Sequence, residues 1–510
     1  MKKATIFTTI ILFLILPIRI VAEVKLPSII SDNMLLQQNT IANIWGKANP
    51  KEKVVVTVSW SKKTYATIAG DDGRWLVKIS TPKQTTKNQT LIIKGENTII
   101  INNVLVGEVW LCSGQSNMHF PIAKSEGWRT GVVNEEETLK DADYPDIRLF
   151  QVNQKLSSDK ELDDCEGKWL VCNADNIKNF SAVAFYFGRY LYKNLHIPIG
   201  LIHSSWGGTH AESWTKMSVI ENDPIYADLL KQYNSDRDNY PANIENYRKD
   251  SVQYEIDKAQ AIAKGEKPGK KPKRPLGIEH NKALSTLWNA MIHPLVPYAI
   301  KGVIWYQGES NAVRAQDYTH VFTNMIDSWR KEWNEGDFPF YFVQIAPQYK
   351  QPPYIREAQL NTWKTVKNTG MAVITDVGDS IDIHPRNKQI PGERLAKWAL
   401  AKDYGKGISY SGPLYQSLKI DGDKVLLSFS HADKGLKSKD SLLEGFFIAG
   451  EDKKFYPAKA EIRNNTVVVS SPEVTKPVAV RYGWDNFFRV NLYNGAGLPA
   501  SPFRTDNWKE

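Results

Sequence analysis

Cysteine is nearly absent, with three in 510 residues, so the fold does not rest on a disulfide framework. Cys165 and Cys172 are close enough in sequence to pair in an oxidising compartment, and a reduced, buried pair is equally open. Cys112 reads as a small core residue. Beyond its start the chain has no apolar run long enough to cross a bilayer. Net charge is also modest for the size, at +9, and much of the excess sits in residues 264–274, KGEKPGKKPKR. Lys, Pro and Gly in that proportion build no core, so a solvated loop is expected there. The segment contains no aromatics, which argues against nucleic-acid binding. No H-E-x-x-H motif or second clustered histidine is present, so neither a metal nor another cofactor is expected.

What is present divides the chain into parts. Lys2 and Lys3 precede an uncharged, mostly apolar run over residues 4–18 and then Ala22. That is the pattern of a signal peptide over residues 1–22, and it implies an exported protein, periplasmic or secreted, without a stable membrane span. Residues 23–103 alternate apolar and polar positions in short bursts, such as 54–60 and 75–79, separated by turns such as GDDG at 70–73; this predicts an N-terminal β domain. From 104 to 404 apolar runs of strand length alternate with helical patterns. Strands are expected at 108–113, 199–204, 302–306, 340–345 and 371–375, and helices at 181–194, 317–333, 355–367 and 392–403. Such alternation predicts an α/β domain with a mostly parallel sheet and helices on both faces. A polar, charged insertion at about 225–280 interrupts it, helical around 245–264. After 405 the β pattern returns, giving a C-terminal β domain over 405–510.

In open parallel sheets, ligands bind beyond the carboxyl ends of the strands. The residues that follow the expected strands are therefore the candidates. They are Gly114-Gln115-Ser116-Asn117-Met118, Ser205-Trp206-Gly207-Gly208-Thr209, Gln307-Gly308-Glu309-Ser310-Asn311, and the stretch from Asp376 through Asp379 and Asp382 to His384. A serine hydroxyl needs a base to attack an ester, and usually a carboxylate to orient that base. Ser116 and His384 supply the first two; Asp382 is nearest in sequence for the third, with Asp379 and Glu309 open. The oxyanion of the tetrahedral intermediate needs donors, and the backbone N–H groups of Ser116 and Gly208 and the amides of Gln307 or Asn311 are candidates. Each piece also has a plain reading: a Gly-x-Ser turn is common, Gly207-Gly208 can be a tight turn, and His384 can be a satisfied loop histidine. His119 and His210 are alternative bases, and Asp376, Asp379, Asp382 and His384 an alternative metal set.

Taken together, GEVWLCSGQSNM, FSAVAFYFGRYL, PIGLIHSSWGGTHAESW, YAIKGVIWYQGESNA, DIHPRNKQIPGERLA and NLYNGAGLPASPFRTDNW closely resemble the sialate O-acetylesterase family, a branch of the SGNH hydrolases related to acetylxylan esterases. The resemblance implies an SGNH-hydrolase-like, doubly wound (flavodoxin-like) parallel sheet flanked by β-sandwich-type modules. It also implies a serine esterase acting without a cofactor on an acetylated carbohydrate, O-acetylated sialic acid first and acetylxylan or another polysaccharide second. By the same likeness Ser116 matches the nucleophile, His384 the base, and Gly208 an oxyanion-hole glycine. The usual last block has Asp three residues before His, where this chain has Ile381, so Asp382 and Glu309 compete as the acid. Gln307 ranks above Asn311 as the amide donor. A different class of function, a non-catalytic carbohydrate-binding protein, would use Trp206, Trp214, Trp305 and Trp484 for stacking on sugar rings.

Overall fold

One long strand organises the molecule. In the computed structural model, which describes residues 23–125 and 127–508, strand β1 (Thr98–Gly114) begins in the N-terminal unit and ends at the centre of the main sheet. Its first third mixes exposed and buried positions, and there it pairs with Thr85–Lys94 and contributes to a sheet open to solvent. From Val104 onward every residue is buried, because both faces of the sheet are covered, as the continuous apolar run VLVGEVWLC requires. The boundary expected between 103 and 104 thus falls inside a strand that both units share. The segment expected as a signal peptide lies outside the described residues.

Six further strands complete the main sheet: β2 (Tyr144–Gln151), β3 (Trp169–Cys172), β4 (Ile199–Ser205), β5 (Gly302–Tyr306), β6 (Phe340–Gln344) and β7 (Thr369–Val373). Their order is β7-β6-β5-β1-β4-β2-β3. All neighbours are parallel except β3, which closes one edge antiparallel to β2. The longer helices are α1 (Ala182–Leu195), α2 (Ala227–Ala263), α3 (Ala315–Trp333), α4 (Pro353–Thr365) and α5 (Gln389–Lys402). Successive side chains of a strand point to opposite faces, and β6 shows what covers each. Phe340 and Phe342 meet Phe322 of α3, whereas Tyr341 meets Trp398 of α5. Helices therefore pack on both faces, as expected. On the second face α1 and α5 approach closely at Gly392, where an added Cβ would lie 2.8 Å from Cβ of Tyr186.

The insertion differs from expectation. In place of a helix confined to 245–264, α2 runs for 37 residues with Pro241 inside it and no buried residue. Its sequence has no apolar stripe to mark it as a helix, and Pro241 reads as a stop. Residues 266–276 then lack regular secondary structure and are mostly exposed. After α5, two four-stranded antiparallel sheets and a two-stranded pair enclose a separate apolar core around Val425, Leu427, Ile448, Val467 and Val480. All three cysteines are free and buried, so Cys165 and Cys172 are not bonded to each other. Among the described residues no helix is long and apolar enough to cross a membrane.

The strand register levels three loops. Gly114 pairs with Ser205 of β4 on one side and Tyr306 of β5 on the other, so all three strands end together. Gly114 has φ +144°, and a Cβ there would stand 2.2 Å from the Tyr306 carbonyl oxygen. We expect Gly114→Ala to cost about 1–3 kcal/mol in backbone strain alone. The check is a fall in apparent Tm by scanning fluorimetry, with Gly269→Ala as control, since nothing lies within 4 Å of a Cβ at 269; equal Tm values for the two variants would contradict this account.

Candidate active site

Ser116 heads a one-turn helix, Ser116–His119, directly after β1. As in any first turn, its leading N–H groups have no intrahelical acceptor. The turn is held from both sides: Gln115 N–H donates to the Tyr306 carbonyl at 3.0 Å, and the buried Gln115 side-chain oxygen accepts the backbone N–H groups of Gly308 and Ser310 at 3.4 and 3.3 Å. Gln115 thus joins the Ser116 turn to the loop after β5. The sequence reading did not single it out, since a glutamine in a turn carries no signal until its partners are known.

His384 reaches Ser116 from the loop after β7. Its Nε2 lies 2.8 Å from Ser116 Oγ, a hydrogen bond of ordinary length. The two residues are 268 positions apart. Burial, then the charge of Lys388, lower the His384 pKa below the usual 6.5, with Asp382 acting in the opposite direction. Trp128 packs edge-on against the imidazole with ring centroids 5.2 Å apart and itself rests on Phe120 at 4.6 Å. Neither Trp128 nor Lys388 stood out in the sequence, because a lone tryptophan or lysine in a loop carries no signal until its tertiary partners are known.

The three candidate acids have different surroundings. Asp382 Oδ1 lies 3.6 Å from His384 Nδ1, with the aspartate side chain 59% exposed; the same oxygen accepts the His384 backbone N–H at 2.8 Å. That ring contact is longer than a hydrogen bond. Asp379 instead accepts the backbone N–H groups of Ile381 and Asp382, both at 2.8 Å; these bonds hold its carboxyl below the usual range and shape the loop. Asp376 is clamped by Arg394 at 2.6 and 2.7 Å. The structure therefore does not gather Asp376, Asp379, Asp382 and His384 into one cluster.

Glu309 lies behind the pair. Burial raises its pKa. Oε1 accepts from Asn117 Nδ2 at 2.6 Å, and Oε2 has no hydrogen-bond partner among the described residues. Asn117 also donates to the Ile383 carbonyl at 3.0 Å and accepts from the buried Lys388 ammonium at 2.5 Å. Burial brings Lys388 down to about 7, and its charge stands over the rings of Phe120 and Tyr306. This network grips the residue that precedes His384 and never touches the imidazole.

On the other side of Ser116 stands the loop after β4. A Cβ on Gly207 would lie 3.3 Å from Cβ of Ser116, so the loop is pressed against the serine. Gly208 sits at φ +73°, a region that favours glycine, and its N–H has no acceptor among the described residues. Asn281 Nδ2 fixes the Gly207 carbonyl at 3.1 Å. The amide of Gln307 is committed elsewhere: its Nε2 donates to the Thr209 carbonyl at 3.1 Å and to Asn311 Oδ1 at 2.7 Å, and its oxygen accepts from Tyr318. Asn311 Nδ2 donates to Glu212 at 2.9 Å. Both amides buttress the Gly208 loop, and neither has the free, serine-directed N–H expected of an oxyanion donor. His119 bonds Ser205 at 3.3 Å, and His210 lies beside the loop at Ser310; no bond joins either to Ser116. Trp214 and Trp305 are fully buried and meet edge-on at 6.1 Å, so they are core and do not offer faces to a sugar. Trp484 lies under Arg504, and Trp206 is half-buried.

Comparison with known proteins identifies the family. Residues 278–400 match the family model for the carbohydrate esterase, sialic acid-specific acetylesterase domain. Sialate O-acetylesterase of Mus musculus is 30% identical, over 94% of this chain and 94% of its own; that of Homo sapiens is 30% identical over 94% and 92%. A crystal structure of a carbohydrate acetylesterase from Xanthomonas citri superimposes with a TM-score of 0.79 at 30% identity, covering 95% of this chain and all of the other. With the likeness running almost end to end, the chain belongs to the sialate O-acetylesterase family.

Proposed function

We propose that the chain is a serine esterase that removes O-acetyl groups from carbohydrate, O-acetylated sialic acid first among them. The observation that carries this is the 2.8 Å contact of His384 Nε2 with Ser116 Oγ. In the first half-reaction Ser116 Oγ attacks the acetyl carbonyl carbon while His384 Nε2 takes its proton. The resulting oxyanion is held by the N–H groups of Ser116 and Gly208. Collapse expels the sugar oxygen, which leaves with the proton from His384, and water then hydrolyses the acetyl-serine by the same route. Asp382 orients the imidazole and faces its cationic form; Glu309 acts through Asn117 and the Ile383 carbonyl on the backbone that carries His384.

The strand order supports an SGNH-type, flavodoxin-like sheet. Numbered along the chain, β1, β4, β5, β6 and β7 take the order 2-1-3-4-5, and Ser116 lies at the switch point between the first and third. On this reading the esterase unit spans about 104–404, between N- and C-terminal sandwich-type modules. We also infer export to the periplasm or beyond, on the charge and hydropathy pattern of residues 1–22.

Ser116→Ala and His384→Ala are each expected to lower kcat on a chromogenic acetyl ester by at least about 10⁴-fold with unchanged circular dichroism; near-normal turnover by either would end the assignment. Asp382→Asn should cost much less than the roughly 10⁴-fold of a buried triad carboxylate, because this one is exposed and 3.6 Å away. A larger loss for Glu309→Gln would make the buried network the dominant support. Acetate release from acetylated sialic acid and from acetylated xylan, side by side, ranks the substrates.

The base must be neutral, and burial disfavours its cation. Activity should therefore persist below pH 6.5 and fall away only as acid protonates His384. Lys388→Met removes a positive charge that opposes imidazolium, so the acid limb of the kcat/KM profile should move to higher pH; an unmoved or lowered limb would remove Lys388 from this account.

A further inference from the structure

Beside the Ser116–His384 pair the surface continues as a trough. A cavity of about 270 Å³ is lined by His119, Trp128, Gln151 and Asn179 among others, and Trp128 is the residue that packs against the His384 ring. A second cavity of about 410 Å³ is also lined by Gln151 and Asn179, and then by Asn176 and Phe180. Gln151 and Asn179 therefore form the joint between the two. Gln151 ends β2, one strand beyond β4, so the trough follows the carboxyl rim of the sheet away from the serine. The first cavity alone is near the lower limit for sites that enclose a ligand, whereas the pair in line falls inside the usual range of about 300–1,000 Å³.

The lining indicates the ligand. Among the described residues no hydrogen bond engages the Gln151 or the Asn179 side chain, and each carboxamide offers two donors and an acceptor, the complement of hydroxyls that both give and take hydrogen bonds. Asn176 is pre-set, with Nδ2 donating to the Val171 carbonyl at 2.8 Å and its oxygen left to the trough. Phe180 is almost fully buried against His203 and belongs to the core, whereas the Trp128 ring is partly exposed. The charged side chains on the wall, Lys168 and Asp175, are exposed, and Asp175 is paired with Lys178 at 2.7 Å. The Trp128 ring and the carboxamides, without a dominant charge, suit a sugar ring better than a peptide or a phosphorylated ligand.

Building on the esterase reading, we propose that this trough binds the next sugar of an oligosaccharide, so that the preferred substrate is an acetylated glycan of two or more units. The ring bearing the acetyl group lies against Trp128 and His119, and its neighbour lies between Gln151, Asn179 and Asn176. Gln151 and Asn179 are then specificity-determining residues that take no part in acyl transfer.

The test compares the wild type with the double variant Gln151→Ala/Asn179→Ala on three substrates: a chromogenic acetyl ester, an acetylated monosaccharide, and the same sugar within a disaccharide or trisaccharide. The wild type should favour the oligosaccharide. The double variant should lose about 10-fold in kcat/KM on it, mostly through KM, a larger loss than on the monosaccharide, while the chromogenic ester is unaffected. Equal turnover of monosaccharide and oligosaccharide by the wild type, or no selective loss in the variant, would overturn the proposal. A wild type inactive on all three would instead overturn the esterase reading itself, and loss on all three in the variant alone would show that these residues support the catalytic pair, again against the proposal.

Discussion

The register of three parallel strands is the constraint on which the site depends. Because Gly114 is level with Ser205 and Tyr306, the loops carrying Ser116, Gly208 and Glu309 leave the sheet at one height and on adjacent strands. A slip of one residue in a parallel pair would exchange the faces of every side chain along it, which the burial of both faces forbids. Close contact at Gly114 adds a local lock: with no side chain there, the Tyr306 carbonyl comes in to accept the Gln115 N–H, and the serine turn starts from a fixed point.

On that frame the polar groups divide between exposed and buried positions. His384 and Asp382 lie toward solvent. Glu309, Asn117 and Lys388 lie inside, where each hydrogen bond is stronger and each unpaired group more costly. Asn117 is engaged at both ends of its amide, by Glu309, Ile383 and Lys388. Such a node has one geometry, and the imidazole inherits it through the peptide it follows. The amides of Gln307 and Asn311 do the same for the opposite loop, turned inward toward Thr209, Ala211 and Glu212.

Much of this was legible beforehand, for specific reasons. The strand expected at 302–306 matches β5 residue for residue, and the helices expected at 181–194 and 317–333 lie within two residues of α1 and α3 at either end, because both faces of a buried strand and one face of a packed helix leave strong periodic marks. The strands at 144–151 and 169–172 were missed: YPDIRLFQ carries charge and proline, and WLVC is only four residues long. The length of α2 was missed because a helix that buries nothing leaves no apolar period to read.

For the site, the sequence alone determined which loops carry chemistry, since an alcohol, an imidazole and glycine-rich turns directly after strands are local facts. It could not rank Asp382, Asp379 and Glu309, nor assign the Gln307 amide, because what a carboxylate or amide does depends on partners up to hundreds of residues away. Only the tertiary structure decided that Asp379 caps its own loop, that Glu309 grips Asn117, and that Trp128 stands against the His384 ring. Function in this chain is encoded by residue type along the sequence, but roles are set by distance, and distance exists only once the strands are in register.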